Sequence, residues 1–184
     1  MSKSLELIVQ YLNDSIAAER SFEAQYRSCA GDGEDSEVQA WFETSAQRAS
    51  SHVELLSRRL SALDATEHRD SHFFSEFFAA IPKAAQIRHA AEERIAQDLM
   101  KGFAVSKSAG AMYLALASAA RAATDEQTAE MAGQLMAEEQ TAADRFWHLL
   151  PSRSKIAYNI LTAGEIDPAI ETRAPDDRVT ETSS

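Results

Sequence analysis

Residues 5–26, LELIVQYLNDSIAAERSFEAQY, decide the fold. Leu5, Ile8, Val9, Leu12, Ile16, Phe22 and Tyr26 recur at the spacing of one helix face. The stripe misses one beat, between Ile16 and Phe22, and the residue there is Glu19. Two more long segments are interrupted in the same way. His52 breaks the stripe Val38, Trp41, Phe42, Ser45, Ala49, Leu56, Leu60 and Leu63, and the pair Glu138-Glu139 breaks that of the last amphipathic segment. A carboxylate inside a helix bundle costs several kcal/mol unless it is paired, hydrogen-bonded or bound to metal. Three inward polar positions on three helices therefore point to one shared site.

Outward from that stretch, the chain is punctuated as a series of helices. Helix 1, over residues 4–30, stops at Gly31-Asp32-Gly33. Helix 2 starts near Asp35 or Ser36, with an acidic first turn that suits the helix dipole, and ends near Asp64. Residues 64–82 hold His68, His72 and four phenylalanines, Phe73, Phe74, Phe77 and Phe78. They predict a loop and a short apolar turn packed over a bundle edge, the alternative being an exposed patch for a partner subunit. Helix 3 covers residues 83–122, with a break expected near Gly102 or Gly110, and its second half is nearly all small apolar residues. Thr124-Asp125-Glu126-Gln127 reads as an N-cap. Helix 4 then runs to Leu150, Pro151 closes it, and a short fifth helix follows over residues 153–163. Residues 1–164 form one domain and residues 165–184 a polar, loose tail. The fold class is all-α: four long helices, two short turns, and one long connection between helices 2 and 3 that must span the bundle. One long crossover among four helices is the ferritin-like arrangement.

Composition agrees. The chain has 184 residues, 45% of them hydrophobic, with only six glycines and four prolines, enough for one cored helical domain. A net charge of −11 argues against nucleic acid and anionic membrane surfaces as partners. The single cysteine, Cys29, excludes a disulfide framework and a cysteine-based zinc site, and reads as a small residue near a helix end. The N-terminus turns amphipathic at once, with no signal peptide, and no apolar run approaches the roughly 20 residues of a membrane span. A cytoplasmic location is expected.

The resemblance lies in short motifs. Ala17-Ala18-Glu19-Arg20-Ser21-Phe22-Glu23-Ala24-Gln25-Tyr26 resembles the first helix of rubrerythrins and related small bacterial ferritin-like proteins. Trp41-Phe42-Glu43-Thr44-Ser45-Ala46 with His52-Val53-Glu54-Leu55-Leu56 resembles their second. Ala137-Glu138-Glu139 with Asp144-Arg145-Phe146 and Leu149-Leu150 resembles their fourth. Such proteins bind two metal ions with one Glu from each of two helices and a Glu-x-x-His pair from each of the other two.

Against that pattern this chain departs. The resemblance puts a helix 2 glutamate at Ala49, a helix 4 histidine at Ala142, and a helix 3 glutamate in Val105-Ser106-Lys107-Ser108-Ala109. Half of the six ligands are lost, and a working di-iron oxidase is not expected. Glu19, His52 and Glu139 survive, and the resemblance implies that they surround one metal. Two carboxylates and an imidazole suit a single iron, manganese or zinc ion with open positions. Periodicity does not choose between Glu138 and Glu139, since both flank the stripe of Met131, Leu135, Ala142, Phe146 and Leu149; the resemblance favours Glu139.

Against this stands a plainer reading: a relic that binds no metal, with Glu19 and His52 bonded to each other or to a buried water. An unpartnered Glu19 would then destabilise the fold. Function as a non-catalytic bundle is the alternative, acting as a homodimer or binding a small molecule where Ala49, Ala109 and Ala142 have removed volume. The remaining polar residues read as structural. His68, His72 and His89 sit in surface-like contexts, His148 pairs with Asp144 one turn away, and Glu92-Glu93 is a solvated face. Trp41 and Trp147 are core or interface anchors, and Ser50 and Ser51 lack the third group a hydrolase needs.

Overall fold

A computed structural model describes residues 2–31, 35–68 and 91–163. These residues include four helices: α1 over Lys3–Gly31, α2 over Ser36–Ala62, α3 over Ala91–Ala122 and α4 over Glu126–Thr162. The helix starts have local causes. Asp35 caps α2 by accepting from the Val38 N–H at 3.0 Å, and Asp125 caps α4 by accepting from the Thr128 N–H at 3.1 Å. The α3–α4 turn passes through Thr124 at φ 58°, and α2 is followed by Asp64 at φ 53°. Both types tolerate the left-handed region less readily than glycine.

Cross-helix contacts fix the topology. Glu19 and Tyr26 of α1 meet Tyr113 and Ser106 of α3, so the numbers run in opposite directions and the two helices are antiparallel. The same holds for α1 with α2 (Tyr26 on Phe42, Glu19 on His52) and for α2 with α4 (Phe42 on Phe146, Arg59 on Asp125). Helices α2 and α3 therefore point the same way, and the chain between them must return along the length of the bundle. This is the one-crossover arrangement expected from the sequence. The four phenylalanines expected to cover a bundle edge, together with His72, His89 and the tail at 165–184, lie outside the described residues.

Two expected interruptions are absent. Helix α3 is continuous past Gly102 and Gly110. Gly102 serves a close approach: a Cβ there would overlap the Phe146 ring on α4. Pro151 does not close α4, and the segment expected as a separate fifth helix is its continuation. A proline inside a helix costs about 3 kcal/mol or more. Tertiary contacts beyond it offset that cost. Arg153 pairs with Asp35 at 2.9 Å and with Glu37 at 2.6 Å, and Ala157 is buried.

One end of the core is aromatic. Phe42 and Phe146 pack with centroids 5.1 Å apart, Tyr26 stacks on Phe146 at 6.0 Å, and Trp41 meets it edge-on at 5.9 Å. Trp41 is the anchor the sequence predicts. Trp147 is 59% exposed, its ring lying 5.5 Å from that of Phe103.

Candidate metal centre

Two helical turns along from the aromatic layer the core turns polar. Glu19, His52 and Glu139 come from α1, α2 and α4 and are 1%, 1% and 2% exposed. One potential ligand atom from each lies within 4.8 Å of the other two. His52 Nδ1 stands 3.2 Å from Glu19 Oε1 and 3.7 Å from Glu139 Oε1. Glu19 and His52, singled out by broken hydrophobic stripes, thus meet Glu139, the member of the Glu138-Glu139 pair that the resemblance favours.

Glu138 and Glu139 are separated by their roles. Glu139 points inward, whereas the Glu138 side chain is 54% exposed and reaches His52 from outside, its Oε2 3.0 Å from Nε2. A carboxylate accepts only, so a proton on Nε2 is donated to Glu138, and one on Nδ1, present while the ring is charged, to Glu19. That leaves Nδ1 as the nitrogen facing Glu19 and Glu139. An outer carboxylate that fixes the tautomer of an inner histidine is the usual support of a metal-binding imidazole.

Two further side chains complete the cluster, and the sequence reading missed both. Arg48, one turn before His52 on α2, donates from Nε to Glu139 Oε1 at 2.8 Å. Its guanidinium lies 5.8 Å from the Trp41 ring centroid, close enough for a cation–π contact. Tyr113 of α3 donates its hydroxyl to Glu19 Oε1 at 2.5 Å and lies 3.4 Å from His52 Nδ1. An i−4 spacing from His52 was the available signal for Arg48. For Tyr113 it was one large polar aromatic in a run of small apolar residues. The sequence also treats Glu19 as at risk of lacking a partner, but Tyr113 and His52 both bond it.

Burial governs the electrostatics. Burial draws the His52 pKa down, but the hydrogen bond and charge of Glu19, the hydrogen bond to Glu138 and the charge of Glu139 outweigh it and raise it above 6.5. Glu139 is raised by burial and by the charge of Glu19, with Arg48 and His52 opposing. Burial, together with the Glu19 charge and hydrogen bond, pushes the Tyr113 hydroxyl well above its ordinary range. Arg48 is raised, the charge and hydrogen bond of Glu139 outweighing its burial.

Does the donor set fit a metal? Among the described residues Glu139 Oε2 is buried with no hydrogen-bond partner, while Arg48 holds Oε1. A carboxylate oxygen left bare beside a second carboxylate and an imidazole nitrogen is a hard O/N donor set, suited to iron, manganese or zinc. Ala49, Ala109 and Ala142 are buried where the sequence resemblance puts further ligands, and a methyl group added at Gly110 would meet the Glu139 Cβ in ordinary van der Waals contact at 3.9 Å.

The other singled-out residues serve structure. His148 donates from Nδ1 to the Asp144 backbone carbonyl at 2.6 Å rather than to its carboxylate, a change of partner within the expected one-turn pairing. His68 is exposed and its backbone N–H donates to Asn13. Cys29 is half-buried near the end of α1. Among the described residues no helix is long and apolar enough to cross a membrane.

Solved structures share this fold. The stress protein YciF of E. coli superposes with a TM-score of 0.73 at 14% identity, over 84% of this chain and 99% of its own. A Dps protein from Bacillus brevis gives 0.64 at 17% identity, and a ferritin-like di-iron carboxylate protein from Bacillus anthracis gives 0.58 at 17%; each match covers 82% of this chain and 99% of the other. These likenesses establish a ferritin-like bundle; the rubrerythrin resemblance rests on the short motifs alone. No curated protein sequence matches. Residues 3–158, nearly all of the bundle, match one sequence family, and the chain belongs to it: Domain of unknown function (DUF892).

Proposed function

We propose that the chain is a ferritin-like protein whose dinuclear centre has been reduced to a single metal site, held by Glu19, His52 and Glu139, and that it works in iron or redox stress. The observation that carries this reading is the bare, buried Glu139 Oε2 beside Glu19 and His52 Nδ1. The fold shared with a stress protein and a di-iron carboxylate protein supports the role. An iron or manganese ion there would supply Lewis acidity or one-electron chemistry. The chain's own groups do the rest: Glu138 orients His52, Arg48 holds one oxygen of Glu139, and the surrounding bundle excludes water.

Two buried carboxylates, Glu19 and Glu139, beside one imidazole suit a divalent ion, with Arg48 bonded to the Glu139 oxygen that the ion would not need. Elemental analysis of purified and reconstituted protein tests the reading: about one ion per chain is expected. His52→Ala and Glu139→Gln should each lose it. Wild type below about a tenth of an equivalent would overturn it, since a folded site of this donor set should fill.

A metal-free network is the second reading, favoured by Arg48 and the raised pKa of His52: guanidinium and imidazolium would balance the two buried carboxylates. The protein would then act by association, for which Trp147 and Met100, 59% and 50% exposed, offer apolar surface. A homodimer by light scattering together with metal-free protein would support it.

A further inference from the structure

Four buried side-chain atoms lack a hydrogen-bond partner among the described residues. One is Glu139 Oε2; the others are Trp41 Nε1, Ser45 Oγ and Arg48 Nη2. These three lie on α2, and with His52 they fall within about 60° around that helix, on one flank of it. The flank faces α4: Trp41 meets Phe146 edge-on, and Arg48 bonds Glu139. With Phe42 packed on Phe146 and Arg48 on Glu139, the antiparallel register sets Ser45, itself fully buried, opposite the buried Ala142 and Ala143. At that level, between the aromatic layer and the candidate metal ligands, the α2–α4 seam is lined by short side chains.

We propose that this seam binds a small planar oxyanion of single charge, of the formate or bicarbonate class, on Arg48 Nη2, Ser45 Oγ and Trp41 Nε1, when the neighbouring metal site is filled. This rests on the reading of Glu19, His52 and Glu139 as metal ligands.

A buried donor without an acceptor is costly, and native proteins seldom leave several together. Indole and guanidinium nitrogens only donate, and a serine hydroxyl can, so the group that satisfies all three is an acceptor. Arg48 is half used: Nε serves Glu139, and Nη2 is left for a second acceptor. Guanidinium and a planar carboxylate-like anion match in shape and charge.

Charge decides when the anion binds. With a divalent ion on Glu19, His52 and Glu139, the two carboxylates balance the ion and the Arg48 charge is left over. Glu138 does not cancel it, since its side chain is 54% exposed and turned to His52 Nε2. A net charge sealed in a bundle core is strongly unfavourable. One monovalent anion on Nη2 removes it, whereas a water molecule would meet the same donors and leave the charge. Without the ion, Glu19 and Glu139 repel a further anion.

The test titrates the full-length chain, loaded with Mn²⁺, with sodium formate and separately with sodium bicarbonate in a calorimeter, sodium chloride being the reference salt at equal ionic strength. One anion per loaded chain is expected, and none on metal-free protein. By linkage the anion should tighten Mn²⁺ binding by the same factor as Mn²⁺ tightens anion binding. Binding of either anion supports the site, and the tighter one identifies the ligand. Trp41→Phe, which keeps a ring but loses the N–H, and Ser45→Ala should each weaken anion binding by about threefold to tenfold. Both variants should keep the wild-type Mn²⁺ affinity in chloride. Wild type that takes up Mn²⁺ but neither anion overturns the anion site and leaves the three-ligand site standing. Anion binding that both variants retain in full overturns its placement on these donors. Failure of wild type to take up Mn²⁺ overturns both readings.

Discussion

Two layers of the same bundle, two helical turns apart, are built on opposite principles. Tyr26, Phe146 and Ser106 belong to the aromatic layer, and seven residues along each helix Glu19, Glu139 and Tyr113 belong to the polar one. At 1.5 Å per residue the layers are about 10 Å apart. The aromatic layer is held by shape: ring meets ring, and Gly102 makes room for Phe146. The polar layer is held by pairing, each charged group having a partner from another helix. The first should therefore fail when volume changes, the second when a partner is removed.

The sharpest way to break this contrast is in the aromatic layer. Phe146→Ala should cost about 3–5 kcal/mol in urea unfolding, and Gly102→Leu, which drives a side chain into that ring, should abolish cooperative folding. A small effect of either would mean that shape does not hold this end. Next in size is Arg48→Met in metal-free protein. It strands a buried carboxylate and should cost about 3 kcal/mol, most of it recovered when Glu139→Gln is added. If the two losses simply add, the pair is not the unit of stability in this layer.

Glu19→Leu comes third. It leaves the Tyr113 hydroxyl and His52 Nδ1 without their acceptor and should cost about 1–3 kcal/mol, lowering the melting temperature of metal-free protein. A rise would show that Glu19 behaves as an unpaired buried charge. The smallest effect lies in neither layer. The Arg153 hydrogen bond holds Asp35 below its ordinary range, with the bond from Val38 adding to it against burial. The folded pKa is lowered, so this stabilisation is complete above the unfolded value near 4 and is lost as pH falls through the lower folded one. Asp35→Asn should cost about 1 kcal/mol at neutral pH and flatten stability across that acid window, read from unfolding curves at stepped pH.

Much of both layers is legible in the chain. A period of 3.6 gives the helices, and gaps in it give Glu19 and His52, because a residue type that disfavours burial is visible wherever it falls on an apolar face. Capping aspartates mark where α2 and α4 begin. Pro151 misleads for a physical reason: local propensity stops a helix there, and ion pairs to Asp35 and Glu37, over a hundred residues away in the chain, carry it on. Arg48 hides because it lies off the stripe, its long side chain reaching inward along the α2 flank to a carboxylate on another helix.

The sequence by itself determined that this is an all-α bundle with one crossover and that three polar residues break its apolar faces, since periodicity is a property of each helix alone. Tertiary structure decided which glutamate enters the site. Glu138 and Glu139 are adjacent, about 100° apart around α4. Which one faces Glu19 depends on the rotation of that helix about its axis, and packing of Leu135 and Phe146 into the core fixes it. Tertiary structure also brought Arg48 and Tyr113 to the same point, because charge pairing acts across space, and no spacing along one helix records what stands opposite.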